Sequence, residues 1–588
     1  MSVKYSLDHS LSKAKSFAKK GNIEEAVKLY QAILSDFPKN VRAQKELETL
    51  QTYSGKGPPQ EEIKKLVNLY NKRQFSASIQ LAQLIIREYP RAIIVWNILG
   101  GSYEGLGEFK QAFMAFEKVI ELNPNYVDGY YNIGVALQNQ GNIEDAIKAY
   151  QKCISINENY AEAYINLGIA LRHLGKTEDS IKVFTKILLN KPDYSEAYYY
   201  LVPSLRGIYF KKHNSNLLNI ITYLLNKKTF ARPRDIIGSA LSLLKLETNL
   251  KKYLEPDCFD DEESKLIEVI ADLSKLPLLL KFMSVCPITD IDLEKLLKKL
   301  RAKIIMSIDD YISSPDLLIF QSALALQCFT NEYIYDKSID ENKALILLEE
   351  SVKLDISNNS QPSPQKILSL ASYKPLKEYI WSSSLLVTDE IKEVFTRQII
   401  EPEREVKIRQ TLPLLNNITN EVSSKVRNQY EASPYPRWVN LRLRSKSVSI
   451  TKLVYEIKLN LLDHKIKEIK APNILVAGCG TGEHSIGTAT RFKDSKVLAI
   501  DLSASSLSYA KRKTEELNIN NIDYMQADIL NLDKLDRQFD IVESVGVLHH
   551  MDDPIAGWTV LKNCLKPGGL MRIGLYSELA RKHIVEMR

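Results

Sequence analysis

Four aromatic residues spaced 34 apart, Trp96, Tyr130, Tyr164 and Tyr198, constrain the front of this chain more than any other feature. The same frame repeats around them, through Gly100, Gly134 and Gly168, then Gly107, Gly141 and Gly175. Ala112, Ala146 and Ser180 form the next set, followed by Phe116, Tyr150 and Phe184. Pro124 and Pro192 close two units, with Glu158 in the middle one. A unit of this length is a helical hairpin that cannot bury its apolar face alone, so neighbours must stack. Small residues fall where two helices touch, aromatics fill the hole opposite, and proline stops the second helix. Ala14, Phe17, Gly21, Ala26, Tyr30 and Pro38 fit the frame earlier, and Ser78, Ala82 and Pro90 fit it more weakly. Gly55 to Pro59 reads as a short linker inside the array.

This period and pattern resemble the tetratricopeptide repeat. The resemblance implies five repeats and a closing helix near Tyr198 to Tyr209, together an all-α solenoid over residues 1–210 with a concave groove. Asn132 and Asn166 occupy equivalent positions on the groove-lining helices, where they are expected to hydrogen-bond an extended peptide. Asn is also common at such positions with no peptide bound. Residues 211–402 carry helical spacing at Leu217 to Leu225, Leu293 to Ile305 and Leu317 to Cys328, and are expected to form an all-α adaptor. Asn358 to Pro364 reads as a loop, and Gln327 to Tyr333 as a helix C-terminus.

The chemistry concentrates near the end. Ile474 to Ala477 is a short apolar run that leads into Gly478, Cys479, Gly480, Thr481 and Gly482, and Asp501 closes a second run, Lys496 to Ile500. A strand, a glycine turn and an acid after the next strand make a nucleoside site in a doubly wound sheet. A dinucleotide fingerprint spaces its third glycine one residue later, and Glu483 would repel a pyrophosphate there. Three more strands are expected: Asn521 to Met525 closing on Asp528, Gln538 to Glu543, and Leu570 to Leu575 after the turn Leu565 to Gly569.

The order of these segments resembles class I S-adenosylmethionine-dependent methyltransferases. The resemblance implies a C-terminal α/β Rossmann-like sheet over residues 449–588 with S-adenosylmethionine as cofactor. Gly478, Cys479, Gly480 and Gly482 would form its loop, Asp501 and Leu502 its ribose contacts, and Asp528 and Ile529 its adenine contacts, with Glu543 beyond. Two departures stand out. Val476 replaces the family's usual acid, so Glu483 or a loop residue is expected to hold the methionine end. The chain also stops at Arg588, so strands 6 and 7 of the family's sheet are expected to be absent, and Ser577 to Arg588 reads as the start of a helix.

Residues 403–448 read as a linker whose Tyr430, Tyr435 and Trp438 either cap cofactor or substrate or simply pack on the domain. His549 and Tyr576 follow strands four and five, where an open sheet places ligands, and are the candidate catalytic pair. His549 or His550 is alternatively the cap of the helix that Asp552, Asp553 and Pro554 start.

At 588 residues several domains are required, and 45% hydrophobic with 26% charged residues is an ordinary globular composition. A net charge of +7 without a basic stripe gives no reason to expect nucleic acid. Six scattered cysteines, with no apolar leader, point to free thiols, no metal site and a cytoplasmic setting without membrane spans. Three functions fit: a methyltransferase whose repeats recruit a protein or peptide acceptor, a small-molecule or glycan methyltransferase with repeats for assembly, and a scaffold with an inactive domain.

Overall fold

The computed structural model describes residues 7–19, 23–38, 40–53, 57–255, 264–309, 313–577 and 582. Two compact units divide the chain, Met1–Leu174 and Gly175–Arg588, a boundary that falls inside the span expected for the repeat array.

The first unit is helical. Ile93–Leu106 packs on Phe109–Leu122, and Val127–Asn139 packs on Ile143–Ile156. The repeat frame explains the contact: a Cβ on Gly100 would stand 2.5 Å from the Phe116 ring, and one on Gly134 2.4 Å from the Tyr150 ring. Only glycine lets these buried aromatics fill the gap between helices. The frame also repeats in its hydrogen bonds, since Trp96 Nε1 donates to Pro90 O at 2.8 Å and Tyr130 Oη to Pro124 O at 3.2 Å. Gly21 and residues 55–56 of the expected linker lie outside the described residues, and a helix at Val41–Tyr53 had no counterpart in the sequence pattern.

The second unit opens with Thr177–Asn190 and Ser195–Leu205. The latter is the expected closing helix, but it ends at Leu205, four residues early; Pro203 lies in its last turn and Gly207 turns at φ +75. Helices follow through the middle region, among them Ser215–Asn226, Pro233–Leu244, Ile291–Met306, Pro315–Thr330 and Ile339–Ser357. Pro315–Thr330 runs past Gln327, and the chain leaves it through Glu332 and Tyr333 at φ +60 and +57. This region buries a charge pair that periodicity could not reveal: Arg301 Nη2 lies 3.1 Å from Glu341 Oε1, which also accepts from Tyr373 Oη at 2.8 Å. Burial alone would raise the Glu341 pKa, yet the Ser338 amide, Tyr373 and Arg301 outweigh it and hold it low.

The C-terminal part is a parallel sheet of β1 (Asn473–Ala477), β2 (Lys496–Asp501), β3 (Ile522–Gln526), β4 (Phe539–Val545) and β5 (Leu565–Gly574), in the order β3-β2-β1-β4-β5. Ile474 and Val476 pack in one core, Leu475 and Ala477 in another, so both faces of β1 are covered. Helices α1 (Glu401–Arg409), α2 (Glu421–Ala432), α3 (Glu483–Arg491), α4 (Ala504–Glu516) and α5 (Pro554–Asn563) accompany the sheet. The expected turn Leu565 to Gly569 is already part of β5, which absorbs it through a register shift opposite Phe539 and Ile541. Of the expected final helix, residues 578–581 and 583–588 lie outside the described residues.

Residues 403–448 are not a loose linker. On α4, Arg512 is buried and paired with Glu401 and Glu405 of α1 at 3.2 and 2.9 Å. The segment at Pro413 to Leu415 then pairs with the edge of β3, accepting from Gln526 N at 2.8 Å and donating from Leu415 N to Gln526 O at 3.0 Å. That covers an exposed strand edge. Further on, Leu441 N and Leu443 N donate to Lys228 O and Thr229 O at 2.7 and 2.8 Å, tying the strap to the helical region. No helix among the described residues is long and apolar enough to cross a membrane.

Candidate functional site

The strand-to-helix turn after β1 sets the geometry. Gly478 N and Cys479 N both donate to Ile500 O at 2.9 Å, and Gly480 N donates to Asp501 Oδ2 at 2.8 Å. Asp501 Oδ1 accepts from Ser503 N at 3.0 Å. Burial raises the Asp501 pKa despite these amide donors, with Glu431 adding to the rise. The three glycines serve different neighbours. A Cβ on Gly478 would strike Val547 at 2.3 Å and one on Gly482 would strike Ala510 at 2.6 Å, so these two pack protein against protein. At Gly480 the nearest atom is Tyr435 O at 4.0 Å, which leaves this glycine the one open to a ligand.

The loop borders a cavity of about 850 Å³ within the second unit. Gly478, Cys479, Gly480, Asp501, Leu502, Asp528 and Ile529 line it, from the C-terminal ends of β1, β2 and β3. Asp528 is the informative member. Its Oδ1 accepts from Leu530 N at 3.0 Å, while its Oδ2 is buried and has no hydrogen-bond partner among the described residues. A buried acceptor without a donor is costly unless a ligand supplies one. Burial pushes the Cys479 thiol well above its usual pKa, so it stays protonated.

Tyr430 and Tyr435 also line the cavity, Tyr435 largely exposed. Tyr430 is positioned by its neighbour Glu431, whose carboxylate accepts from Ala504 N and Ser505 N at 2.6 and 3.0 Å and so caps α4. Burial, with Asp501, Tyr576 and Tyr435 nearby, raises the Tyr430 pKa. Trp438 is different: it is buried, its Nε1 donates to Thr481 O at 3.0 Å, and it does not line the cavity. Thr481 Oγ1 donates in turn to Pro436 O at 2.7 Å, so Trp438 clamps the glycine loop from behind instead of forming a lid.

Five more sequence-predicted residues are placed differently from expectation. Glu543 does not line the cavity: its carboxylate accepts from His484 Nε2 at 2.8 Å, from Thr488 Oγ1 and from Arg491 Nη1 at 3.3 Å. Burial would raise its pKa, but His484, Arg491 and Thr488 prevail and hold it at about 2. Glu483 is held by Arg232 and by Arg234 Nη2 at 2.8 Å, so it is already engaged by cations of this chain. Among the histidines, His550 lines the cavity with Tyr576, whereas the His549 ring packs 3.9 Å from the Tyr576 ring, centroid to centroid. Asn132 Nδ2, in the first unit, donates to Asn97 Oδ1 at 3.0 Å, and Asn166 Nδ2 to Tyr131 Oη at 3.3 Å. Both asparagines thus bind their own neighbours.

Sequence reasoning missed Tyr199, Arg442, Arg444 and Arg572, all of which line the cavity. They come from three separate segments, 199, 442–444 and 572, and no local pattern joins these segments.

Comparison with known proteins agrees with this geometry. Residues 474–569 match a methyltransferase domain family. Residues 127–160, 149–182 and 11–40 match tetratricopeptide repeat families, and residues 103–141 a further TPR repeat family. An uncharacterized protein of Synechococcus is 34% identical over 122 residues, covering 21% of this chain and 29% of that protein. An uncharacterized methyltransferase of Schizosaccharomyces pombe is 36% identical over 106 residues, covering 17% and 38% respectively. The ubiquinone biosynthesis O-methyltransferase of Acinetobacter baumannii is 28% identical over 114 residues, covering 19% and 47%. This chain therefore spans less than half the length of each of these relatives. The chain joins tetratricopeptide repeats in its N-terminal region to a methyltransferase domain at its C-terminal end.

Proposed function

We propose that this chain is an S-adenosylmethionine-dependent methyltransferase whose repeat array recruits a protein or peptide acceptor. One observation carries most weight: the buried, donor-less Asp528 Oδ2 in a cavity that also holds Asp501 and the open backbone at Gly480. An adenine amino group is a donor of the kind Asp528 lacks, and ribose hydroxyls suit Asp501. Val476 leaves the methionine end without the family's acid, and Glu483 is paired with arginines. Tyr430 and Tyr435 offer aromatic faces to a sulfonium.

When bound, the cofactor supplies an electrophilic methyl group on sulfur. The residues of this chain orient the acceptor for in-line attack, exclude water, and accept the proton that the acceptor releases. His550 stands on the cavity for that last task, the Tyr576 hydroxyl orients the acceptor beside it, and His549 acts by packing on Tyr576. We propose residues 1–210 as the recruiting array, 211–402 as a helical adaptor, 403–448 as the strap that carries the tyrosines, and 449–588 as the methyltransferase. Tyr199, on the closing helix of the array, lines the cavity, which favours delivery by the repeats over their use in assembly alone. Five described cysteines are buried thiols, in keeping with the cytoplasmic setting we propose.

Titration of S-adenosylmethionine by calorimetry tests the cofactor site. Micromolar binding that is lost in Asp501→Ala supports the assignment, and absence of binding to the unaltered chain rejects it. Incubation with the tritiated methyl donor and cell extract tests the acceptor. Label in acid-precipitable polypeptide supports a protein acceptor, and label confined to the soluble small-molecule fraction overturns it.

A further inference from the structure

The cavity extends well past the nucleoside contacts, and its far wall is made of arginines. Arg491, at the end of α3, and Arg572, on β5, share the single carboxylate of Glu543 with His484, at 3.3, 3.8 and 2.8 Å. Arg232 and Arg234 share the single carboxylate of Glu483. Arg442 lies 4.1 Å over the Tyr199 ring and donates to Tyr199 O at 2.8 Å. Arg444 has a carboxylate to itself among the described residues, Glu456 at 2.8 Å. Asp235 also borders the cavity, but Arg206 holds it. Positive charge therefore exceeds negative charge along this wall, and Arg491 is partly desolvated beside it: burial lowers its pKa, Glu543 opposes this, and Arg572 and Arg444 lower it further.

Apart from Glu483 and Asp235, the acids of the cavity are placed elsewhere. Asp501 and Asp528 stand at the ends of β2 and β3, and Asp552 and Asp553 in the turn before α5. The wall is also roomy where it runs along α3. His484, Gly487 and Arg491 line the cavity at helical spacing, and a Cβ built on Gly487 would meet nothing within 4 Å. A chamber with open volume and unbalanced guanidinium forks binds planar or tetrahedral oxyanions by paired, charge-assisted hydrogen bonds.

We propose that the methyl acceptor presents an anionic oxygen group, a carboxylate or a phosphate ester, to the wall formed by Arg442, Arg491 and Arg572. This inference rests on the methyltransferase reading for the word acceptor, while the anion site itself stands on the arginines alone. The remaining room beside Gly487 holds the rest of the acceptor.

The test uses the full chain at fixed ionic strength, with inorganic phosphate and acetate as separate probes in calorimetry. Saturable binding is expected for at least one probe. It should weaken by roughly tenfold in the double variant Arg442→Gln/Arg572→Gln, and stay unchanged in Arg404→Gln, whose partner is Glu515 away from the cavity. Tighter phosphate binding identifies a phosphate ester, and tighter acetate binding a carboxylate. No saturable binding of either anion, or equal binding in the double variant, overturns the proposal. S-adenosylmethionine titrated into the same samples separates the two inferences. Anion binding without cofactor binding rejects the methyl-transfer reading and keeps the site. Cofactor binding of unaltered strength in every variant, with no anion bound, rejects the site and keeps the reading.

Discussion

Gly480 and Gly482 lie two residues apart and have opposite sensitivities. At Gly482 a methyl group meets Ala510 at 2.6 Å on a backbone with φ +88, so Gly482→Ala is expected to cost about 2–4 kcal/mol in denaturant unfolding. Gly480 has open space and φ +53; Gly480→Ala is expected to cost only about 1 kcal/mol. Asp528→Asn keeps the oxygen that caps Leu530 but replaces the partnerless acceptor with an amide donor. Its fold stability should hold, while S-adenosylmethionine affinity falls roughly tenfold in calorimetry. Glu543 gives a pH signature. Its folded-state pKa of about 2 lies below the ordinary 4.5, so its contribution is complete above 4.5 and is lost as the pH falls through about 2. Glu543→Gln should therefore cost on the order of 3 kcal/mol at neutral pH and almost nothing near pH 2, measured by unfolding across that range. The glycines and Asp501 were legible because their meaning is local to one turn. Glu543 was legible only as an acid on a strand; that His484, Thr488 and Arg491 consume it depends on how a helix lies over the sheet.

At the scale of elements, α4 is held from both ends. Arg512, buried among Glu401, Glu405 and Glu516, anchors its C-terminal half to α1, and Glu431 of α2 caps its first turn. Arg512→Met leaves three carboxylates around a lost cation, and is expected to cost about 3–5 kcal/mol in thermal or denaturant unfolding. The five strands could be read from sequence because each is an apolar run bounded by turn residues. The start of β5 could not, because Pro567, Gly568 and Gly569 look like a turn and are carried in the strand only through pairing with β4. The strap over residues 403–448 was equally hidden. Glu431, Pro413 and Leu441 find partners at Ala504, Gln526 and Lys228, far along the chain, and their own neighbours announce nothing.

At the scale of the molecule, the strap decides how the second unit responds to ligand. Leu441 and Leu443 pair with the backbone at Lys228 and Thr229, Asn440 Nδ2 donates to Leu225 O at 2.6 Å, and Trp438 clamps Thr481 in the glycine loop. The middle helices and the sheet are thus joined by these few consecutive residues and by the pairs of Arg232 and Arg234 with Glu483, with the cavity bordered by both. A ligand present at a hundredfold above its dissociation constant adds about 2.7 kcal/mol to whatever unfolds together with its site. Were the sheet an independent folding unit, S-adenosylmethionine would slow hydrogen exchange only in β1 to β4 and their loops. With the strap in place, the slow amides of Pro233–Leu244 should gain protection together with those of Asn473–Ala477. Hydrogen exchange read by mass spectrometry, with and without S-adenosylmethionine, decides between these outcomes. Asn440→Ala supplies the control: it removes the hydrogen bond to Leu225 and should reduce the protection gained by the helix at Pro233–Leu244, which Arg232 and Arg234 still tie to Glu483, while leaving protection of β1 in place.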